Sequence, residues 1–274
     1  MKTGIVGLGC VGKAYAGIIS NKEDVYVYDI RTPTENDLKE YPNWYYDLQD
    51  LRHCDILILC LPTPTDPDTE IVNVNAHHNV LQTLTDISYE GSVIIKSTIT
   101  PDVLSELFNK FNKLSIGYSP EFLKEASAFE DLLTTDMHFV AGCNKAVEDY
   151  KNFIKRSKTE SDECHEIDCY KKLSLMKYSI NVFLATKVLF FNNMFDICNK
   201  EGVEYEELIN LLSKDKRLGD SHMKVPGPDG SRGFGGMCFP KDTKAFKTYS
   251  KTLLKDSGMG ELLDVVIKTN DKLR

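Results

Sequence analysis

The 274-residue sequence lacks any stretch of about 18 consecutive uncharged apolar residues, so no membrane-spanning helix is expected. Its longest apolar run, residues 180–198, contains three asparagines, a lysine and an aspartate. The first apolar segment starts at residue 3 and reads as part of the fold, so no leader is expected. Basic residues are also not in excess, since 33 Lys and Arg stand against 41 Asp and Glu. The resulting net charge of -8 argues against a nucleic-acid-binding protein.

The eight cysteines show neither a disulfide framework nor a Cys-x-x-Cys motif. Cys164, His165 and Cys169 lie close together without a fourth ligand, so no metal site is predicted. Reduced thiols in a chain without a leader favour a cytoplasmic protein. The sequence has no internal repeats or low-complexity tracts, and its 42% hydrophobic content is that of an ordinary globular protein. Its length predicts one large or two modest domains.

Short apolar runs alternate with helical stretches in the first half of the chain. Continuous apolar runs are typical of strands buried on both faces, and their alternation with helices predicts a parallel sheet with helices on both faces. The predicted strands are residues 3–8, 25–28, 55–61, 93–95, 114–118 and 138–141. The predicted helices are residues 13–19, 75–84 and 101–112, with His77 and His78 expected at the surface.

A glycine fingerprint lies between the first strand and the first helix. Gly7, Gly9 and Gly12 have the spacing G-x-G-x-x-G, which permits a tight turn, close approach of a pyrophosphate to the backbone, and close packing of helix on strand. Asp29 ends the second strand and suits the ribose diol of NAD. Arg31 leaves NADP open, because a cation can bind the additional phosphate. The first domain is therefore expected to be a Rossmann-type dinucleotide-binding domain.

The sequence pattern changes after about residue 145. Strand signals nearly vanish, and helices are predicted at residues 170–200, 204–213, 241–254 and 259–273. Residues 225–240 hold three prolines and five glycines, so an irregular loop is predicted there. We therefore expect an NAD-binding domain at 1–145, a connecting segment at 146–169, and a mostly helical domain at 170–274. The long helix at 170–200 is apolar on nearly all sides, which predicts burial on nearly all sides and favours a homodimer.

Cys238 is the cysteine whose surroundings suggest chemistry. It lies between Gly235-Gly236 and Pro240, with Lys241 and Asp242 close behind. Nearby cations favour the thiolate, which is the nucleophilic form. The chain here resembles the UDP-glucose 6-dehydrogenase family of nucleotide-sugar dehydrogenases over nearly its whole length. The stretches that carry the resemblance are Gly7-Leu-Gly-Cys-Val-Gly12, Leu61-Pro-Thr-Pro64, Ser97-Thr98, Pro120-Glu-Phe-Leu-Lys-Glu125, Lys177 with Asn181, Arg217-Leu-Gly219 and Gly233-Phe-Gly-Gly-Met-Cys-Phe-Pro-Lys-Asp242.

The resemblance implies oxidation of the C6 alcohol of a nucleotide sugar to a carboxylate, with two NAD per turnover and a thioester on Cys238. Lys177 and Asn181, four residues apart on a helix, would stabilise the oxyanion. Glu121 would transfer a proton or activate water, and Thr98 and Asp242 would position water near the thiol. The implied cofactor-binding residues are Gly7, Gly9, Cys10, Val11, Gly12, Asp29, Arg31, Pro62, Thr63, Thr98 and Lys241. The implied substrate-binding residues are Phe122, Leu123, Lys124, Glu125, Lys177, Asn181, Arg217, Lys224 and Gly235.

Several alternatives stay open from the sequence. The substrate could be UDP-glucose, GDP-mannose or a UDP-N-acetylhexosamine. Members of the family usually carry a further domain that binds the nucleotide of the substrate, and this domain is expected to be missing here. A 3-hydroxyacid or 6-phosphogluconate type of dehydrogenase shares the two-domain plan but needs no thiol, so Cys238 argues against it. A non-catalytic dimeric remnant has no chemical reason to retain Cys238, Lys177, Asn181 and Glu121 together.

Overall fold

The computed structural model describes residues 1–255 and 258–274, except for the side chain of Glu125. It forms two compact units, one of residues 1–64 and 72–177 and the other of residues 65–71 and 178–274. The two units divide inside the long helix, between Lys177 and Tyr178. The domain limits expected at 145 and 170 stay a prediction.

The first unit is built on one sheet, which has eight strands within the described residues. The strands are β1 (Thr3–Val6), β2 (Val25–Tyr28), β3 (Trp44–Tyr45), β4 (Ile56–Leu59), β5 (Ser92–Ile95), β6 (Ser115–Tyr118), β7 (Phe139–Gly142) and β8 (His165–Glu166). Their order across the sheet is β3-β2-β1-β4-β5-β6-β7-β8. β1 lies between β2 and β4, with Ile5 opposite Val27 and Ile58. The predicted α/β class with a Rossmann-type sheet is confirmed.

One pairing differs from the fully parallel sheet predicted from the sequence. β7 runs antiparallel to β6, with Gly117 opposite Gly142 and Tyr118 opposite Ala141. The apolar pattern of a four-residue strand shows that the strand is buried, but it carries no information on direction. The other described pairings of the sheet are parallel.

Helices pack on the sheet of this unit and complete its core. They are α1 (Cys10–Ile18), α2 (Glu35–Glu40), α3 (Asn75–Asp86), α4 (Pro101–Lys110), α5 (Ala128–Thr134) and α6 (Asn144–Arg156). α1 packs against α5, and α6 packs against β5, β6 and β7. Tyr15 of α1 and Tyr150 of α6 are fully buried members of the core. α5 and α6 were not predicted, although α6 has a clear apolar face that buries Val147, Tyr150 and Ile154.

The second unit is helical. The long helix α7 (Tyr170–Glu201) enters it and is followed by α8 (Tyr205–Leu212), α9 (Cys238–Leu253) and α10 (Gly258–Leu273). α9 and α10 pack against each other, and Val182, Leu189 and Leu263 belong to one apolar cluster. By length and composition alone α7 could cross a membrane, but the core helix of a globular protein passes the same test. Its most apolar window is 44% buried inside the molecule, and a single helix of this kind is weak evidence of a membrane span.

Candidate functional site

The glycine fingerprint lies at the turn from β1 to α1. A Cβ on Gly7 would lie 2.6 Å from the Cys60 carbonyl oxygen, and one on Gly12 would lie 2.0 Å from the Gly7 carbonyl oxygen. A Cβ on Gly9 would meet no atom within 4 Å. Gly9 is also the N-cap of α1 and provides no side chain to the helix N-terminus. The turn therefore leaves open space over backbone N–H groups, which fits the pyrophosphate of a dinucleotide.

Asp29, at the end of β2, is fixed by the backbone. Its Oδ2 accepts a hydrogen bond of 2.6 Å from the N–H of Leu8, and its Oδ1 accepts one of 2.9 Å from the N–H of Arg31. These contacts hold the carboxylate beside the fingerprint. A carboxylate acceptor at this point fits a ribose diol.

Arg31 has a different partner from the one that NADP binding would need. Its guanidinium forms two hydrogen bonds with Asp37, of 2.7 and 3.2 Å, and lies over the ring of Trp44. Asp37 is buried and also accepts hydrogen bonds from Thr34, and these contacts hold the pKa of its carboxyl well below the usual range. Arg31 is thus committed to an internal ion pair.

The loops that follow β4 and β5 carry three further predicted cofactor residues. Pro62 is exposed, Thr63 is buried and Thr98 is half-buried. Ser97 donates a hydrogen bond of 2.6 Å to the carbonyl of Leu61 and so joins the two loops. These residues follow the carboxyl ends of parallel strands, where open α/β sheets bind ligands.

His77 was expected at the surface, but it is fully buried. Its Nε2 lies 2.9 Å from Ser97 Oγ. Because the single hydroxyl proton of Ser97 goes to Leu61, Nε2 must be the donor in this bond. Burial lowers the pKa of His77 to about 3, so the ring is neutral at physiological pH. His77 therefore forms a neutral link between α3 and the loop that follows β5.

Residues 119–124 connect β6 to a short 3₁₀ turn (Glu125–Ser127) and are not helical. Glu121 Oε1 accepts a 2.9 Å hydrogen bond from the N–H of Phe122. Leu123 packs against the apolar core, and the N–H of Lys124 donates to Asp131. The side chain of Glu125 lies outside the described residues.

Lys96, which the sequence analysis missed, is buried directly behind Glu121. Its Nζ lies 3.5 Å from Glu121 Oε2 and donates hydrogen bonds to Ser119 Oγ at 2.8 Å and to Tyr150 Oη at 3.0 Å. Burial disfavours the charged form, but the neighbouring Tyr150 and Glu121 outweigh that effect and raise the pKa of Lys96. A lysine directly after the buried run 92–95 was the signal that could have found it.

Lys177 ends the first unit on α7 and is buried, with its Nζ over the ring of Phe122. Asn181 follows one helical turn later on the same face of α7. In the second unit, Asn181 Nδ2 donates a 2.6 Å hydrogen bond to Oδ2 of Asp242. The other carboxylate oxygen of Asp242 accepts from Lys241, and the Asp242 side chain is 1% exposed. Two predicted site residues of α9 and one of α7 thus form one cluster.

Cys238 is the first residue of α9, which corrects the prediction of a loop to residue 240. Pro240 is compatible with this position because proline is tolerated in the first turn of a helix. The thiol is exposed, and Asp242 lies one turn further along the same face. A helix N-terminus stabilises a thiolate, so this position suits a nucleophile.

The loop before Cys238 is held by two asparagines that the sequence analysis did not single out. Asn270 of α10 accepts a 2.7 Å hydrogen bond from the N–H of Phe234 and donates one of 3.0 Å to its carbonyl. Asn192 of α7 accepts from the N–H of Gly233 at 3.1 Å. A Cβ on Gly235 would lie 2.4 Å from the guanidinium of Arg274. Polar residues on the inner faces of α7 and α10 were the available signal.

The remaining predicted substrate cations lie at the surface of the second unit. The Arg217 side chain is 89% exposed and pairs with Asp215, and Lys224 is exposed. Lys187 is buried and donates to the carbonyl of Leu218, so the loop beside Arg217 is anchored on α7. Within the described residues, no group of three metal-binding side chains is present.

Two sequence models match the chain and together cover most of it. The NAD binding domain of the UDP-glucose/GDP-mannose dehydrogenase family matches residues 43–156, and its central domain matches residues 172–272. UDP-glucose 6-dehydrogenase from Rickettsia typhi is 30% identical over 273 residues, covering 98% of this chain and 60% of the relative. The Rickettsia bellii enzyme of the same name is 29% identical, covering 86% of this chain and 53% of the relative. The chain thus spans about half the length of these relatives.

The fold has a counterpart among solved structures. A UDP-glucose dehydrogenase from Pyrobaculum islandicum superposes with a TM-score of 0.78 at 21% identity, covering 98% of this chain and 68% of that one. Likeness at this level of identity concerns the fold.

Proposed function

Since the chain belongs to the UDP-glucose/GDP-mannose dehydrogenase family, we propose that it oxidises the C6 alcohol of a nucleotide sugar to a carboxylate with NAD. The principal support is the thiol of Cys238 at the N-terminus of α9, one turn before an Asp242 that is buried against Asn181 and Lys241. A simple alcohol dehydrogenase needs no such thiol. UDP-glucose is the first candidate substrate, because the relatives from Rickettsia typhi and Rickettsia bellii are named UDP-glucose 6-dehydrogenase.

The residues of the first unit fit NAD. The open space above Gly9 and the uncapped N-terminus of α1 suit its pyrophosphate, and Asp29 suits its adenosine ribose. NAD, when bound, accepts one hydride in each of the two oxidation steps. Thr63 and Thr98, at the ends of β4 and β5, would line the same edge of the sheet.

The chain's own residues carry the remaining chemistry. In the first oxidation the alcohol loses a hydride and a proton and becomes an aldehyde. The Cys238 thiolate then adds to the aldehyde carbon, and Lys177 and Asn181 stabilise the oxyanion of the thiohemiacetal. Loss of a second hydride from this adduct gives a thioester. Water hydrolyses the thioester. Glu121 accepts the proton of this water, and Thr98 and Asp242 orient it.

Residues 122–124 and Lys177, together with Gly235, are the residues proposed to bind the sugar. Arg217 and Lys224 would meet the diphosphate, since guanidinium and ammonium groups suit it. The exposure of Arg217 fits a residue that acts at a surface shared with another subunit.

The proposal includes a homodimer built on α7. Phe183, Phe190 and Ile197 are spaced by seven residues, so they form one stripe on the helix, and they are 64%, 60% and 52% exposed. Val182 and Leu189 are buried within the second unit. A second copy of the chain is the proposed cover for the exposed stripe. Sedimentation at micromolar concentration should give a dimer, and Phe190→Glu should give a monomer; a monomeric wild type would contradict this.

The proposed location is the cytoplasm. Burial raises the pKa of both Cys54 and Cys164 to about 12, which disfavours their reactive thiolate forms and fits reduced cysteines.

The activity is tested by following NADH formation with UDP-glucose, UDP-N-acetylhexosamines and GDP-mannose. We expect two NADH per sugar acid for one of these substrates. NADH formation with none of them would contradict the proposal. A substrate other than UDP-glucose would identify the enzyme as another member of the family.

The role of Cys238 is tested with Cys238→Ser. The variant should make almost no acid and at most one NADH per site, because an alkoxide forms far less readily than a thiolate at neutral pH. Cys143→Ser is the matched control, since Cys143 is also exposed and precedes the first turn of α6. Iodoacetamide should inactivate the control and the wild type but not label the Ser variant at position 238. Acid formation by Cys238→Ser at the wild-type rate would overturn the thioester mechanism.

A further inference from the structure

Lys96 is held by a complete set of partners in the first unit. An ammonium group has three N–H donors, and the Nζ of Lys96 has three neighbouring oxygens, on Ser119, Tyr150 and Glu121. The ring of Tyr15 lies beneath it, with Nζ 4.6 Å from the ring centre. The Lys96 side chain is 2% exposed. A buried charge of this kind is costly unless it is paired, so the carboxylate of Glu121 is part of what stabilises it.

The carboxylate of Glu121 is in turn held at both oxygens. Oε1 accepts from the N–H of Phe122, and Oε2 faces the Lys96 ammonium at 3.5 Å. The Glu121 side chain is 14% exposed. The two contacts, one from each side, fix the position of the carboxylate.

The tyrosine, cysteine and histidine side chains near Lys96 and Glu121 are neutral at pH 7, so Glu121 is the anion that faces Lys96. Burial raises the pKa of Tyr15 and Tyr150, and also those of Cys60 and Cys164, so these groups are neutral at pH 7. Burial lowers the pKa of His138 to about 4, so its ring is neutral as well. Lys177 of α7 brings a second cation to the adjacent residue Phe122. The titratable and charged groups around the pair are Tyr15, Cys60, His138, Tyr150, Cys164 and Lys177.

We propose that Lys96 is a positioning residue that supplies the opposite charge beside the Glu121 carboxylate and orients it as the base of the hydrolysis step. This inference rests on the proposed function. In the hydrolysis step the Glu121 carboxylate takes a proton from water while the water oxygen bonds to the thioester carbon. The carbon–sulfur bond breaks, and the electron pair returns to Cys238 as a thiolate. No oxidant or reductant is consumed in this step.

The kinetic test uses Lys96→Met, whose unbranched side chain is one atom shorter and lacks the charge and the donors. The pH profile of kcat is recorded from pH 5 to 9 with the nucleotide sugar that yields NADH. Loss of an opposite charge at this distance should raise the midpoint of the acid limb by about 1–3 pH units, with much of the activity regained at high pH. A purely structural role would lower kcat at all pH values without moving the midpoint. An unmoved midpoint in a folded Lys96→Met protein would overturn the proposal.

A matched control is available on α6. Lys145 also forms an ion pair with a carboxylate, Asp149, but its side chain is 50% exposed. Lys145→Met should leave both kcat and the midpoint within about twofold and 0.3 pH units of the wild type, because exposed ion pairs contribute little. Glu121→Gln should instead release two NADH per site rapidly and then turn over slowly, since both oxidations precede hydrolysis. A burst of one NADH would assign Glu121 to an earlier proton transfer and overturn the proposal.

Stability measurements keep the inference testable if no substrate is found. Urea unfolding of Lys96→Met, Glu121→Gln and the double variant forms a double-mutant cycle. The double variant should be more stable than the sum of the single effects predicts, because Lys96→Met alone leaves a buried carboxylate without its partner. If only the double variant folds, the coupling is equally supported. Additive effects would refute the ion pair, whereas an inactive wild type with a coupled pair would refute only the proposed function.

Discussion

Two glycine-to-alanine changes in the fingerprint should have opposite consequences. Gly9→Ala places a methyl group where no atom lies within 4 Å, whereas Gly12→Ala places one 2.0 Å from the Gly7 carbonyl oxygen. Gly9 has φ -78°, which alanine adopts without strain. We therefore expect Gly9→Ala to impair cofactor binding and Gly12→Ala to impair folding.

The magnitudes follow from these contacts. The methyl of Gly12→Ala must push α1 away from β1, and such overpacking costs about 1–3 kcal/mol or more. For a chain of this size the melting temperature should fall by about 2–12 °C. Gly9→Ala replaces glycine by alanine at an N-cap, which costs about 1 kcal/mol or less. Its methyl group obstructs charge-assisted hydrogen bonds to the pyrophosphate that contribute about 1.5–3 kcal/mol, so the NAD Kd should rise at least about tenfold.

Differential scanning fluorimetry and calorimetric NAD titration measure the two effects on the same protein samples. Gly17→Ala on α1 is not a suitable control, because its methyl would meet Phe129 at 2.7 Å. Gly258→Ala, in the second unit, meets no atom within 4 Å at a glycine without a positive φ, so it reports the cost of a substitution away from the fingerprint. Wild-type NAD affinity in a folded Gly9→Ala protein would refute the assignment of the fingerprint to the cofactor.

Three further changes probe other contacts. Asp37→Asn should release the Arg31 guanidinium and raise NADP affinity relative to NAD; an unchanged ratio in calorimetric titration would show that the ion pair does not control cofactor choice. His77 has a folded-state pKa of about 3, below its unfolded value, so the stability it contributes is complete above about pH 6.5 and is lost as the pH falls. His77→Gln should therefore reduce the loss of unfolding free energy between pH 7 and pH 5 by about 2 kcal/mol, and an unreduced loss in urea titrations would contradict its burial as a neutral ring. Asn270→Ala leaves the buried N–H and C=O of Phe234 unpaired and should cost about 2–5 kcal/mol in urea unfolding, whereas a cost below about 1 kcal/mol would contradict the clamp.

The central strands could be predicted because they are buried on both faces. Residues 56–59 and 93–95 are all fully buried, and uninterrupted apolar runs are the direct sequence expression of that environment. The edge strand β3 (Trp44–Tyr45) was missed because two residues carry no periodicity. The direction of β7 depends on the connection from β6 through α5, which local residue patterns do not encode.

The proposed site residues at strand and helix ends could be singled out from the sequence, whereas their partners could not. The fingerprint and Cys238 are recognisable because glycine and cysteine have distinctive roles at those positions. In the sequence His77 and Lys96 look like ordinary polar residues. Only the fold brings His77 to Ser97 and Lys96 to Glu121. Lys96 and Glu121, which are 25 positions apart, meet because β5 and β6 are neighbouring parallel strands that end at the same edge of the sheet. His77 reaches Ser97 from α3.

Buried charges give an independent reason to locate function at these places. Within residues 1–255 and 258–274, the buried side chains of Asp, Glu, Lys and Arg are Asp37, Lys96, Lys177, Lys187 and Asp242. Each lies beside a predicted site element: Arg31, Glu121, Phe122, the loop after Arg217, and Asn181, respectively. Apolar replacements of buried ion pairs are often equally stable, so stability alone does not require these charges. These buried charges lie beside the residues predicted to bind the cofactor and the sugar and to hold the thiol. A site that controls protonation and binds anionic ligands needs charged groups at such positions.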